Sequence, residues 1–165
     1  KMQVIDNFLD EEYFQYLYEK ITDQRNFGWQ FQTQVATHDQ REELSLHHYY
    51  FVHSLYYDYE VESEHYQDFH PLFRQLKVQF LHRARVLLYV NQGEQWIHDR
   101  HIDTPVTSNT ALIYMNTNDG FTEFETGERV DSIKNRLLLF DGSVPHSSST
   151  PTDCRERMLI SVTYL

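Results

Sequence analysis

From Arg83 to its last residue the chain reads as a succession of short strand-like runs with turn signals between them and no helical period. The runs are Val86–Val90, Thr110–Asn116, Thr122–Phe124, Arg129–Ile133, Leu137–Phe140 and Met158–Leu165. Asn118-Asp119-Gly120, Thr126-Gly127 and Asp141-Gly142 supply turns. Many short strands without helices between them must bury their apolar faces against another sheet. This half therefore predicts a sandwich or barrel.

The first half has a different texture. Asp10 is placed to N-cap a helix over about residues 11–24, with Tyr13, Phe14, Leu17, Tyr18 and Ile21 on one face. A second helix is predicted over about 68–80, with Pro71 near its first turn and Phe69, Leu72, Phe73, Leu76 and Phe80 on its buried side. Trp29–Val35 alternates ring and polar residues, and Tyr49–Val52 is a run of apolar and aromatic residues; both read as strands. Asp58, Glu60, Glu62 and Glu64 read as a solvated acidic loop or edge. No linker divides the 165 residues, so a single domain over 1–165 is expected, with helical support over about 1–82 and a β core over about 83–165.

Net charge narrows the partners. Lys+Arg 14 against Asp+Glu 25 leaves −11, with no run of basic residues, so no nucleic acid is expected. Cys154 is the only cysteine, which precludes an internal disulfide and suits a reducing cytoplasm. No apolar run approaches the roughly 18 residues that span a bilayer, and the first residues lack a signal-peptide apolar region, so no membrane partner is expected.

The sharpest chemical feature is His101-Ile102-Asp103. On extended chain, residues i and i+2 share a face about 7 Å apart, so an imidazole and a carboxylate there can reach one ion. Alone the pair occurs often by chance, and an exposed His–Asp pair is the bland reading. His146, just beyond the buried-strand signal Leu137–Phe140, offers a third ligand. Two His and one carboxylate with open positions suit non-haem Fe(II). On the last strand, alternation puts Arg157, Leu159, Ser161 and Thr163 on one face. A guanidinium there asks for an anion: a dicarboxylate, or a surface partner such as Glu123, Glu125 or Glu128.

The ordered set His101-x-Asp103, His146, Arg157 resembles the Fe(II)- and 2-oxoglutarate-dependent dioxygenases, in particular their prolyl-4-hydroxylase-like branch. Thr110-Ala-Leu-Ile-Tyr114-Met-Asn116 is similar to that branch's Thr-x-x-x-Tyr-Leu-Asn strand. Asp119-Gly120-Phe121-Thr122-Glu123-Phe124 stands where the family has Gly-Gly-x-Thr-x-Phe. Asn135-Arg-Leu-Leu-Leu-Phe140 replaces Gly-x-x-x-x-Phe, and Arg157 to Ser161 matches the terminal Arg-x-x-x-Ser/Thr. Asn118–Glu125 and Arg136–Asp141 also look like small phage and marine bacterial members. The resemblance covers about residues 83–165.

The resemblance implies a mainly β fold with α, a double-stranded β-helix (jelly roll) flanked by N-terminal helices. It implies Fe(II), 2-oxoglutarate and O2 as cofactors and co-substrates, and His101, Asp103 and His146 as metal ligands. Arg157 and Tyr114 would bind the distal carboxylate of 2-oxoglutarate, with Tyr89 near the iron and Ser161 as a further co-substrate contact. It implies hydroxylation of a small-molecule or peptidyl substrate, proline among them, with release of succinate and CO2. A non-catalytic metal- or ligand-binding jelly roll is the alternative; a zinc hydrolase is weaker, since no Glu or His stands as an obvious general base. A shifted triad using Asp99 is a further variant. His98 is expected at the pocket rim, Trp96 at the mouth or capping the core, Cys154 as an inert thiol, and His47, His48, His53, His65, His70 and His82 as surface or loop residues. Two neutral imidazoles would make metal affinity fall below about pH 6.

Overall fold

The computed structural model describes residues 2–35 and 46–165. In chain order the elements are β1 (Gln3–Ile5), α1 (Glu11–Ile21), β2 (Gln30–Gln32), β3 (Tyr50–Tyr57), β4 (Glu60–Val61), a 3-10 turn (Tyr66–Phe69), α2 (His70–Gln75), β5 (Leu81–Val90), β6 (Asn109–Tyr114), β7 (Phe121–Phe124), β8 (Arg129–Asp131), β9 (Arg136–Asp141), β10 (His146–Ser148) and β11 (Glu156–Tyr164). Among the described residues the strands form an eight-stranded antiparallel sheet, ordered β1-β9-β6-β11-β5-β3-β2 with β4 on β3, and a three-stranded sheet ordered β10-β7-β8. Two facing antiparallel sheets with this crossing order make the jelly roll.

The large sheet is the middle layer because both its faces are apolar. On β11, Met158, Ile160, Val162 and Tyr164 pack with Ala84, Val86, Ala111 and Ile113 against Phe14, Leu17 and Ile21 of α1. The opposite face of the large sheet looks at the small sheet: Leu159, Leu87, Tyr89, Leu112, Tyr114 and Phe140 of β9 meet Phe124 and Val130. A strand with helices on one side and a sheet on the other has no solvent face, which is why β11 is buried at every residue after Glu156.

Several expectations change in the structure. In the first 82 residues the strands expected at Trp29–Val35 and Tyr49–Val52 are present as β2 and β3, while β1 and β4 are not anticipated by the sequence pattern, and all four join the large sheet. The helix predicted over 68–80 is a 3-10 turn followed by α2, which stops at Gln75; Lys77 adopts φ 58° and ends the helical path. Phe80 consequently sits outside the helix, 60% exposed, with its backbone paired to Leu165. Helix α1 also ends earlier than predicted, at Ile21. Asp10 holds the cap position only through its carbonyl, which accepts from Phe14, and its side chain caps nothing. His48 and His65 lie in a loop and a turn, within the expectation, but are buried there; the His65 Nε2 lies 2.8 Å from the Asn26 carbonyl oxygen. The acidic residues Glu60, Glu62 and Glu64 do lie in and around an edge strand. Among the described residues no helix is long and apolar enough to cross a membrane.

Asn135 shows how the sequence fixes the sheet edge. It stands where the family pattern has glycine, and its φ is 61°, a conformation Gly adopts freely and Asn tolerates. Unlike glycine it also binds. Its side-chain oxygen accepts from Leu9 N–H at 2.9 Å and its amide donates to the Leu9 carbonyl at 2.8 Å, both buried. Asn135→Ala strips both bonds and strains the turn, and should lower stability by about 2–4 kcal/mol in urea unfolding. Asn135→Gly relieves the strain but not the lost bonds, so it should cost less. Equal stability of the Ala protein and the parent would mean the Leu9 segment is anchored elsewhere.

Candidate metal centre and anion pocket

The centre is assembled by loop backbone, not by a regular strand. His101 forms an isolated antiparallel bridge to His146, with N–H to carbonyl distances of 2.9 and 3.0 Å. Two residues on, Asp103 N–H donates to the Gly142 carbonyl at 2.8 Å. These contacts pin the His-x-Asp segment beside β10. Gly142 is needed at that point, because a Cβ there would lie 2.6 Å from Ser108 Oγ and 2.9 Å from Thr110 Oγ1.

His101, Asp103 and His146 each offer a ligand atom, and these atoms lie within 4.8 Å of one another. Asp99 is not part of the group. Two of the three ligands, His146 and Asp103, are oriented by a partner behind them, whereas His101 Nδ1 is buried without one. His146 Nδ1 lies 2.9 Å from the Val144 carbonyl oxygen, which makes Nδ1 the donor and leaves the Nε2 lone pair facing Asp103 Oδ2 at 3.6 Å. Arg83 Nη2 donates to Asp103 Oδ1 at 2.7 Å, and Thr110 Oγ1 donates to Oδ2 at 3.0 Å. The Asp103 side chain is only 4% exposed. Burial pushes its carboxyl up, but His146, Arg83, His101 and Arg85 together outweigh burial and hold it below the usual range. Burial, reinforced by His146, pulls His101 down to about 4, against the pull of Asp103. Two imidazole nitrogens and a carboxylate converging on one point fit a divalent ion of the iron or zinc type.

A narrow pocket, partly open to solvent, runs from this centre along the inner face of the large sheet. Leu87, Leu112 and Leu159 make its apolar wall, with Tyr50, Tyr89 and Ser161 beside them. Arg157 borders it and has no exposed surface. Its Nε donates to Ser132 Oγ at 2.7 Å, Nη1 to the Ser149 carbonyl at 3.2 Å and Nη2 to Thr122 Oγ1 at 3.1 Å. Its guanidinium also lies 5.6 and 5.4 Å from the ring centres of Tyr89 and Tyr114. All these partners are neutral; among the described residues Arg157 makes no ion pair, and Glu123 pairs with Arg129 instead. Burial lowers the Arg157 pKa and raises that of Tyr114, whose hydroxyl lies 2.8 Å from Thr122 Oγ1. A buried, uncompensated guanidinium at a cavity wall fits a carboxylate ligand.

Six of the seven residues singled out from the sequence line this pocket, and Tyr114 does not. Arg157, Tyr89 and Ser161 line the pocket with the metal group, and Tyr114 lies behind Thr122. Ser161 stands four residues from Arg157, about 13 Å along the strand, toward the metal end. Arg155 precedes β11, with its side chain 92% exposed beside Glu156. His98 is buried against Tyr89 and His48 instead of forming the rim, and Trp96 stacks on His47 at 4.0 Å. Sequence reasoning missed Arg83, Thr110 and Thr122, which hold functional side chains rather than acting themselves. It also missed the reason for Gly120: a Cβ there would lie 2.5 Å from Arg157 Cδ. The Gly in the quoted hairpin motif was the available signal.

No family model matches the chain, and no curated protein sequence matches it. Solved structures do match in fold. A prolyl-4-hydroxylase from Pseudomonas putida aligns with a TM-score of 0.64 at 13% identity, covering 99% of this chain and 91% of that one. An oxidoreductase of the 2OG-Fe(II) oxygenase family from Burkholderia pseudomallei gives 0.68 at 10%, covering 99% and 84%. A Trichoplax adhaerens prolyl hydroxylase, in complex with a hypoxia-inducible-factor peptide fragment, gives 0.58 at 16%, covering 99% and 83%. The chain thus has the fold of these oxygenases over nearly its whole length.

The depressed His101 pKa sets a pH dependence for the metal-free protein. The unfolded chain takes up this proton near pH 6.5 and the folded chain only near about 4. His101 therefore contributes stability that is complete above about pH 6.5 and is lost as pH falls toward 4, up to about 3 kcal/mol. The drop should be measurable by urea unfolding across that range, and His101→Leu should flatten it. The same shift moves His101's competition with metal well below the pH 6 expected from free imidazole. An unchanged slope in the variant would show that His101 titrates normally.

Proposed function

We propose that the protein is an Fe(II)- and 2-oxoglutarate-dependent dioxygenase that hydroxylates a small-molecule or peptidyl substrate, with release of succinate and CO2. The observation that carries the reading is Arg157: a fully buried guanidinium with only neutral partners, on the same pocket as a two-His, one-carboxylate centre. A merely structural metal has no use for a second, distant anion anchor. The fold shared with solved oxygenases of this class supports it.

In this reading His101, Asp103 and His146 hold the iron, which when bound supplies the oxygen-activating redox chemistry. The protein's own contribution is placement and exclusion of water. Arg157 receives the distal carboxylate of 2-oxoglutarate in a bidentate fork, and Thr122 and Tyr114 orient that fork from behind. Tyr89 lies against the guanidinium and on the pocket wall, where it closes one side of the co-substrate. Ser161 supplies a hydroxyl toward the metal end. Leu87, Leu112 and Leu159 keep water from the space between. Arg83 and Thr110 hold Asp103 in its ligating orientation, and the Val144 carbonyl holds the proton of His146 on Nδ1. The Trichoplax relative's peptide makes a prolyl residue one candidate substrate.

The test is 2-oxoglutarate affinity by calorimetry, with a redox-inert divalent metal in place of iron. Truncating one side of a buried charge pair costs roughly 3–5 kcal/mol, so Arg157→Ala should weaken binding by two to three orders of magnitude or more. Metal affinity should hardly change. Arg155→Ala should cost tenfold or less, as an exposed residue. Ala at His101, Asp103 or His146 should abolish metal binding. A parent protein that binds metal but no 2-oxoglutarate would leave a non-catalytic metal-binding jelly roll.

A further inference from the structure

Strand β5 presents Arg83, Arg85, Leu87 and Tyr89 to the inner face, because alternate residues Ala84 and Val86 belong to the helix-side core. Three of the four have an evident task. Arg83 is bonded to Asp103, Leu87 is apolar wall, and Tyr89 lies against Arg157. Arg85 has none. It lines the pocket with His101, Asp103 and His146, yet among the described residues it makes no hydrogen bond and no ion pair. Its Nε is sealed from solvent without a partner, while its end faces the cavity. Directly across the strand pair lies Ser161, which lines the same cavity.

Charge counting sharpens the point. Arg83, Arg85 and Arg157 bring three guanidiniums to the pocket region, and among the described residues Asp103 is the one carboxylate that lines it. On the functional reading above, on which this inference rests, a metal dication and a dianionic co-substrate cancel one another. Three guanidiniums against one carboxylate then leave two positive charges in excess, and Arg85 is a guanidinium with no partner among the described residues, in a chain whose net charge is −11. Arg83 and Arg85 are also two residues apart on one strand face, about 7 Å, so they repel. A wall needed only for packing would carry an apolar residue there. Arg85 and Arg157 stand opposite Ser161 and Tyr89, four residues apart, so they serve different ends of the pocket.

We propose that Arg85, with Ser161 beside it, recognises the carboxylate of a small carboxylic-acid substrate at the metal end of the pocket. A prolyl residue inside a peptide carries no charge and would leave Arg85 unpaired; a free acid pairs with it. A planar carboxylate also matches one guanidinium and one hydroxyl, whereas a phosphate offers more oxygens than these two groups can satisfy.

The experiment uses trifluoroacetate as the probe, read by fluorine NMR on the full chain saturated with Zn(II) and 2-oxoglutarate. The parent should bind it saturably, acetate should displace it, and neutral trifluoroethanol should not bind. Arg85→Gln should weaken trifluoroacetate binding at least tenfold while 2-oxoglutarate affinity stays within threefold, and Arg85→Lys should retain part of it. Because the Gln and Lys proteins must both bind 2-oxoglutarate normally, misfolding is detected separately. Four results overturn the proposal: no trifluoroacetate binding by the parent, equal binding by the Gln variant, displacement by phosphate better than by acetate, or a 2-oxoglutarate loss above tenfold in Arg85→Gln, which would give Arg85 to the co-substrate. If the parent binds no 2-oxoglutarate at all, the functional reading fails instead. The Arg85 site is then judged by the same titration with Zn(II) alone.

Discussion

A guanidinium without exposed surface must be solvated by the protein itself, and much of the small sheet is arranged to do this for Arg157. The desolvation penalty for such an ion is several kcal/mol even after relaxation. Ser132, Ser149 and Thr122 recover part of it with three hydrogen bonds, and the faces of Tyr89 and Tyr114 recover more. Each acceptor sits on a different segment: the end of β8, the exit of β10 and the middle of β7. The Arg157 side chain therefore stitches the small sheet to the central strand of the large one. Gly120 completes the arrangement, because the hairpin before β7 passes so close to Arg157 that no side chain fits.

That stitch works only because the large sheet is two-faced. Its helix-side face is a continuous apolar layer, and the opposite face mixes leucines with a few polar groups at chosen positions. Register keeps the two sets apart: β11 pairs with β5 and β6 so that Arg157 meets Tyr89, Leu159 meets Leu87 and Tyr114, and Ser161 meets Arg85 and Leu112. A slip of one residue would send Arg157 into the helix layer, where no hydroxyl or carbonyl awaits it. The buried ion and the hydrophobic pattern thus specify the same register.

The legible parts of the sequence were those with a short-range rule behind them. Alternation and turn residues located β6, β7, β9 and β11 to within a few positions, and the His-x-Asp, His, Arg order located the site. What escaped was set by distant contacts. Strand β1 is exposed along its length and exists by pairing with β9, so no periodicity marks it. Strand β10 is three polar residues whose strand character comes from β7. The second helix was overextended because Phe80 continues its apolar spacing, while Lys77 turns the backbone away. His65 looked like a loop residue, yet its burial depends on Asn26, far off in sequence. Arg83 carries no motif, and Thr110 stands in one that does not disclose its partner; only the folded sheet brings them to Asp103.

The metal centre follows a different economy from the arginine. None of its ligands lies inside a long strand, so strand geometry cannot aim them. The aim comes from cross-loop pairing: the His101–His146 bridge sets one ligand against another, and Asp103 is tied by its backbone to Gly142 and by its side chain to Arg83 and Thr110. Such ties hold a carboxylate and two imidazoles close together without an ion, despite the cost of crowding and burying them. The Arg83 contact matters most. It compensates the Asp103 charge when no metal is bound, yet it occupies Oδ1 and leaves Oδ2 toward His146. A ligand set arranged beforehand loses little conformational freedom on binding, so more of the coordination energy appears as affinity. The same arrangement places Arg83 beside Arg85, and the requirement to orient Asp103 thereby puts positive charge on the wall that a substrate must approach.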